Sequence, residues 1–235
     1  MTTSTMAGVR MRVSVASLVL VIVSVGAVPL RAQDPPPRIP PFVIDLHATV
    51  PKFPTDDPLL ATSRKMELSE LPGRGLGVQL GAHLYLLRLK AITFGIGGEF
   101  VSSRASQTPP AVQTPPPGQT GTGTIPLRPT KERYTSIAPQ ISFNFGTGHG
   151  WSYLSGGLGR STWSLALEGD ESDPPNREKL KTINYGGGGR WFMKSHLAFS
   201  FDVRFYAINP GAASNQFPGT PRTTLLVIGA GVSMK

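Results

Sequence analysis

The chain contains no cysteine. Disulfide staples, thiolate zinc centres, iron–sulfur clusters and lipid attachment at an N-terminal cysteine are therefore excluded. Charge is also scarce. Only 16% of the 235 residues are Asp, Glu, Lys or Arg, against about a quarter in an ordinary soluble domain. Helical patterning is missing as well: beyond Gln33 no window of a dozen residues carries apolar side chains at helical spacing. With 27 glycines and little charge, the composition argues against a helical bundle or coiled coil. The length suits one domain, and single all-β domains reach this size.

The first segment reads as an address. Arg10 and Arg12 precede an uncharged run from Val13 to Leu30, and Ala32 stands before Gln33. A basic start, an apolar middle and a small residue at the cut describe a secretory signal peptide over residues 1–32. The competing reading is an uncleaved membrane helix, because the apolar run nearly spans a bilayer. Residues 33–40 form a proline-rich lead-in with Pro35, Pro36, Pro37 and Pro40. Removing residues 1–32 takes away Arg10, Arg12 and Arg31 and no acid, so the +9 formal charge falls by three and stays positive. No basic stripe interleaved with aromatics marks a nucleic-acid surface, and attraction to anionic lipid head groups is the simpler use of the charge.

From residue 41 onward apolar and polar residues alternate with the period of a β-strand. In Leu197–Ala207 the odd positions are Leu197, Phe199, Phe201, Val203, Phe205 and Ala207, and the even ones include Ser200, Asp202 and Arg204. Successive strand side chains point to opposite faces, so one face is greasy and the other polar. The same pattern recurs around Leu46, Leu80, Phe94, Phe143, Tyr185 and Ile228. In these seven segments each charged residue, namely Asp45, Glu99, Arg190, Asp202 and Arg204, falls on the polar parity. The eighth segment, 151–167, is less regular. Placing Trp151, Tyr153, Trp163 and Leu165 on the greasy face sends Arg160 to the polar face, but Leu154 and Leu158 go with it. A bulge near Gly159 is another solution.

Connections between the eight segments alternate in length. Those near 88–90, 146–150 and 194–196 are short, while 51–74, 103–134, 168–181 and 209–222 are long. The 103–134 loop is rich in proline, including Pro115, Pro116 and Pro117, and from 103 to 130 it has no aromatic residue, so a mobile, partly polyproline conformation is expected there.

With export signal, alternation and loop rhythm together, residues 41–235 resemble the eight-stranded outer-membrane β-barrels typified by the barrel domain of outer membrane protein A. The resemblance implies an all-β, antiparallel, up-and-down transmembrane barrel in the outer membrane of a Gram-negative-type bacterium, with both termini periplasmic. It also implies outer-membrane lipid and the barrel assembly machinery as partners, a monomeric state and no cofactor. Such barrels usually end in an aromatic residue, whereas this chain ends Met234-Lys235.

On that reading Phe94, Phe143, Phe199, Phe201, Leu226 and Ile228 face lipid, and Trp151, Tyr153, Trp163 and Trp191 belong to interfacial girdles. Asp45, Glu99, Arg160, Arg190, Asp202 and Arg204 line a lumen just wide enough for its own side chains. Such a lumen is expected to be filled by mutually neutralising charges, because unpaired buried charge is very costly. Glycine runs such as 186–189 lack the following helix that a phosphate-cradling loop needs. The His–Ser pair two residues apart that lipid A deacylase barrels use is missing, since Ala198 follows His196 and Thr49 follows His47. No histidine spacing suggests a metal site. A non-enzymatic barrel serving envelope integrity or surface interaction is the leading expectation. The alternatives are a barrel enzyme acting on lipid A, and a soluble periplasmic barrel binding an apolar ligand with its greasy face turned inward.

Overall fold

The computed structural model describes residues 37–109, 112–114, 123–125, 128–170, 177–213 and 218–235. The expected signal peptide lies outside these residues. Ten strands follow in chain order: β1 (Phe42–Lys52), β2 (Gly75–Leu89), β3 (Ile92–Gln107), β4 (Val112–Thr114), β5 (Gly123–Ile125), β6 (Thr130–Thr147), β7 (Gly150–Leu167), β8 (Arg177–Phe192), β9 (Leu197–Ile208) and β10 (Thr223–Met234). All but β4 and β5 form a closed barrel in the order β1-β10-β9-β8-β7-β6-β3-β2. Each neighbouring pair is antiparallel, and β1 seals the wall by pairing with β10 from Ile44↔Met234 to Lys52↔Leu226. Closure removes the sheet edge that an open sheet would expose.

Tight turns at Lys90–Ala91, around Gly148 and at 193–196 share one end with Phe42 and Met234. Gly146 adopts φ +141°, a conformation open to glycine. The long connections share the opposite end. There the strands run further than the sequence suggests: β3 continues to Gln107, β6 starts at Thr130 and β8 at Arg177. The expected proline-rich loop at 103–134 is thus strand at both ends, and between them β4 pairs with β5.

The first long connection also departs from expectation, because it contains helix. Asp57 caps α1 (Pro58–Ser63) by accepting from the Leu59 and Leu60 amides at 3.0 and 3.2 Å, and Pro58 opens the first turn. A short 3₁₀ turn follows at Leu68–Glu70. This connection packs against the barrel interior. Phe53, Leu60 and Leu71 join Val101, Tyr134, Trp163, Leu165, Tyr206, Leu225 and Val227 in one buried apolar cluster on the long-loop side of the lumen.

Inside and outside alternate strictly along most strands; β1 alternates exposed and buried over its whole length. In β7 the sequence reading is inverted. Trp151, Tyr153 and Trp163 are buried in the lumen, while Leu154 and Leu158 point outward. Arg160 is likewise exposed and outward instead of lining the lumen. Hydrogen-bond register explains the inversion. Ile137 pairs with Arg160 and Gln140 with Gly157, so β7 runs without a bulge and takes its parity from β6. Among the described residues the one register shift lies elsewhere, between Tyr85 and Leu87 of β2.

Candidate functional site

The polar half of the lumen, toward the tight turns, is built from side chains contributed by opposite walls. Arg190 of β8 reaches across to Asp45 of β1 with two hydrogen bonds, from Nε at 2.8 Å and from a terminal nitrogen at 2.6 Å. Ser233 of β10 donates to the same carboxylate. The Arg190 guanidinium also lies 3.9 Å from the Tyr153 ring centroid, a cation–π contact strengthened by exclusion of water. Arg204 of β9 joins two carboxylates, with Nε 2.7 Å from Glu99 of β3 and a terminal nitrogen 2.9 Å from Asp202 of its own strand. β9 and β3 lie on opposite sides of the barrel, so this contact spans the lumen. Hydroxyl and amide donors offset the surplus negative charge: Tyr206 donates to Glu99 at 2.6 Å, Tyr153 to Asp202 at 2.7 Å, and Gln79 to Glu99 at 2.8 Å.

Gly188 makes part of this arrangement possible. It stands on the inward parity of β8, and a Cβ there would run into the Phe201 carbonyl and the Tyr153 hydroxyl. Asp45, Glu99, Arg190, Asp202 and Arg204 are all buried in one connected group. Of the six expected lumen charges, Arg160 alone stands outside it.

Sequence reasoning missed a second ionic layer nearer the long loops. Glu132 is buried and accepts from the Trp163 indole at 2.8 Å. Arg64, carried in on the β1–β2 connection, meets Glu178 at 2.9 Å. Burial pulls the Arg64 guanidinium below its ordinary value, while Glu178 and Glu132 draw it upward. The overlooked sequence signal is Asp57-Pro58, a cap followed by a first-turn proline, which marks a helix inside the supposed loop.

One contact has the chemical form of a nucleophile and its base. His47 Nε2 lies 2.7 Å from Ser200 Oγ, and Nδ1 lies 3.4 Å from the Gln79 side-chain carbonyl. Both side chains are sealed, at 1% and 0% exposure, and an amide faces Nδ1 where an ionised carboxylate would best support base chemistry. The arrangement fits positioning of His47 better than attack on a substrate. Among the described residues no three His, Asp or Glu side chains group as metal ligands.

The outer wall is the chemical inverse of the lumen. Phe199, Phe201, Ile228 and Phe143 are 46%, 38%, 46% and 38% exposed, whereas Glu99 and Asp202 are 5% and 1% exposed. Phe94 and Leu226 point the same way and are partly covered by neighbours. A barrel with its greasy face inward and its acids in water is therefore contradicted. Outward aromatics pair across strands: Trp191 stacks on Phe199 and Tyr185 on Phe205. Trp191 is the one of the four expected girdle residues that faces outward; the other three serve the lumen.

No protein-family model and no curated protein matches the chain. Among solved structures it is similar to Neisserial surface protein A, at 14% identity over 83% of this chain and 97% of that one, with a TM-score of 0.49. It is similar also to Ail, the attachment invasion locus protein of Yersinia pestis, at 12% identity over 82% and 97% of the two chains, with a TM-score of 0.46. A third likeness is to the N-terminal β-barrel domain of Pseudomonas aeruginosa OprF, at 11% identity over 83% and 96%, with a TM-score of 0.39.

Proposed function

We propose that this chain is an integral outer-membrane β-barrel protein of a Gram-negative-type bacterium, non-enzymatic and with a side-chain-filled lumen, whose long loops serve envelope integrity or contacts at the cell surface. The observation that carries this reading is the opposition between the two faces of one wall: large apolar side chains outside, ion pairs inside. Water as the outer solvent would reverse that arrangement. Closed barrels suit a bilayer because every backbone polar group finds a partner within the wall.

The dimensions agree. On β1 the outward apolar stretch from Phe42 to Val50, tilted as barrel strands are, rises about 20 Å, close to the roughly 25 Å apolar band of outer-membrane barrels. With tight turns on the periplasmic side, both ends of the barrel fall there and the long loops face outward. The filled lumen argues against a broad aqueous pore, and the sealed His47–Ser200 pair weakens the reading as a lipid-acyl enzyme. Outer-membrane lipid and the barrel assembly machinery are the partners this reading requires.

Membrane fractionation combined with surface labelling tests it. The protein is expected in the outer-membrane fraction. A tag inserted between Gly169 and Asp170 is expected to be stained on intact cells, and a C-terminal tag only after permeabilisation. Native protein recovered from a detergent-free periplasmic extract would overturn the proposal.

A further inference from the structure

Both flanks of the barrel chain meet over its tight-turn mouth. Just before β1, the Pro41 carbonyl accepts from the Tyr85 amide at 2.8 Å and extends the β1–β2 ladder. At the start of the same segment, the Pro37 carbonyl accepts from the Gly148 amide at 2.6 Å. Gly148 lies in the β6–β7 turn, and β7 is four strands from β1 in either direction around the wall. Residues 37–41 therefore run across the mouth. Five extended residues reach about 17 Å, which suffices for a barrel whose interior holds only its own side chains. After β10, Lys235 returns to the same place. Its amide donates to the His196 carbonyl at 3.2 Å, and its ammonium donates to the Gly148 carbonyl. One buried glycine is thus held on both sides, by the segment before the first wall strand and by the residue after the last.

Aromatic rings floor this mouth. The Lys235 ammonium lies 3.8 Å from the Phe192 ring centroid, Phe192 stacks on Trp151, and Trp151 meets Tyr85 edge-on. The Arg190 guanidinium follows further inward, 5.7 Å from the Trp151 ring centroid. In this half of the lumen His83, Gln140, Asn144 and Trp151 are buried, and each has a polar side-chain atom with no hydrogen-bond partner among the described residues. Buried groups of this kind are ordinarily satisfied by water. At the other end the apolar cluster around Phe53, Leu60 and Leu71 keeps water out, so the tight-turn mouth is the route by which water reaches them. The crossing segment is lightly held. Pro37, Pro40 and Pro41 have no amide proton to give to a ladder, and Pro37 and Arg38 are exposed. A segment with few buried apolar contacts opens at low cost while the rest of the fold stays intact.

We propose that residues 37–41 and Lys235 form a strap over the tight-turn mouth, and that local opening of this strap admits water and small neutral polar solutes to the polar half of the lumen. The strap is a gate separate from the ion pairs behind it: it opens by releasing Gly148, with Arg190 and Asp45 still joined. The inference requires only that the tight-turn mouth meet water, and it holds whichever side of a membrane that mouth faces.

Acrylamide, a small neutral polar quencher, tests this in the full barrel folded in detergent micelles. Two single-tryptophan backgrounds report on the two ends: W163F/W191F keeps Trp151 beneath the strap, and W151F/W191F keeps Trp163 in the apolar cluster at the other end. Gly148→Ala is the decisive variant. Gly148 does not have a positive φ, so alanine suits its backbone. The three atoms nearest an added Cβ all belong to the strap: the Arg38 carbonyl oxygen at 2.7 Å, the Pro37 carbonyl oxygen at 3.2 Å and Pro37 Cβ at 3.3 Å. Gly148→Ala and deletion of residues 37–40 are each expected to raise the quenching constant of Trp151 about threefold or more, and to leave that of Trp163 unchanged. K235Q is expected to give a smaller rise, because the Pro37–Gly148 bond remains, and H149A, an exposed neighbour in the same turn, to give none. In unsubstituted protein, hydrogen exchange is expected to be faster at the Gly148 amide than at the mid-strand amides of β6. Unchanged quenching of Trp151 in Gly148→Ala, or Gly148 exchange as slow as that of mid-strand β6, would overturn the proposal. Equal increases for Trp151 and Trp163 would mean general loosening of the barrel and would overturn it too.

Discussion

Removing the Arg190 guanidinium while leaving Asp45 in place tests the lumen account at its best-defined contact. The two side chains are 1% and 6% exposed and share two charge-assisted hydrogen bonds. In Arg190→Met the carboxylate keeps Ser233 alone as a side-chain donor and remains in a water-poor lumen. Stranding one member of a buried pair costs about 3–5 kcal/mol, and loss of the cation over Tyr153 adds about 1 kcal/mol. A total cost of about 4–6 kcal/mol changes the ratio of folded to unfolded protein by about a thousandfold to ten-thousandfold. Asp45→Leu combined with Arg190→Met removes both charges, and a pair replaced by apolar groups is often neutral, so the double variant is expected to recover most of the loss. Urea unfolding in phosphatidylcholine vesicles, followed by tryptophan emission and by the heat-dependent gel shift, measures all three proteins. A single variant as stable as wild type, or a double variant no better than the single, would refute the reasoning.

Other expectations follow from the same geometry. Arg204→Met strands Glu99 and Asp202 together and is expected to cost at least as much as Arg190→Met in the same urea assay. Arg204→Lys is expected to rescue little, because one ammonium does not reproduce the guanidinium fork. Leu60→Ala removes a fully buried side chain from the apolar cluster and is expected to lower stability by about 2–5 kcal/mol, read by chemical denaturation. Leu154→Arg places a charge on the outer wall of β7 and is expected to cost about 2–4 kcal/mol of stability in vesicles. Purified wild type in planar bilayers is expected to give no steady large-conductance channel, since the lumen is filled at both levels.

Seven of the eight wall strands were legible because their outward faces are almost uniformly apolar and their inward charges fall on one parity. β7 was not, because both of its faces are greasy. Trp151, Tyr153, Trp163 and Leu165 compete with Leu154 and Leu158, and total hydrophobicity favours the aromatic set. Two of the rings carry a polar handle that favours the lumen. Trp163 donates to Glu132 and Tyr153 to Asp202, and such groups belong where a partner is buried. Those partners are 31 and 49 residues away in the chain, beyond the reach of periodicity. Parity along β7 is inherited from pairing with β6, a long-range fact. The apolar plug was hidden for a related reason. Phe53, Leu60 and Leu71 are too widely spaced to show a period, and their common destination appears only when the barrel closes around them.

Fluorescence quenching by brominated lipid asks directly which solvent touches which face of the wall. Trp191 is 55% exposed on the outer wall, whereas Trp151 and Trp163 are 3% and 1% exposed inside it. Three variants, each keeping one of these tryptophans and carrying phenylalanine at the other two positions, are folded into vesicles containing bromine-labelled acyl chains. Strong quenching of Trp191 with little quenching of Trp151 and Trp163 is the predicted result. Equal quenching of all three, or protection of Trp191, would contradict the account.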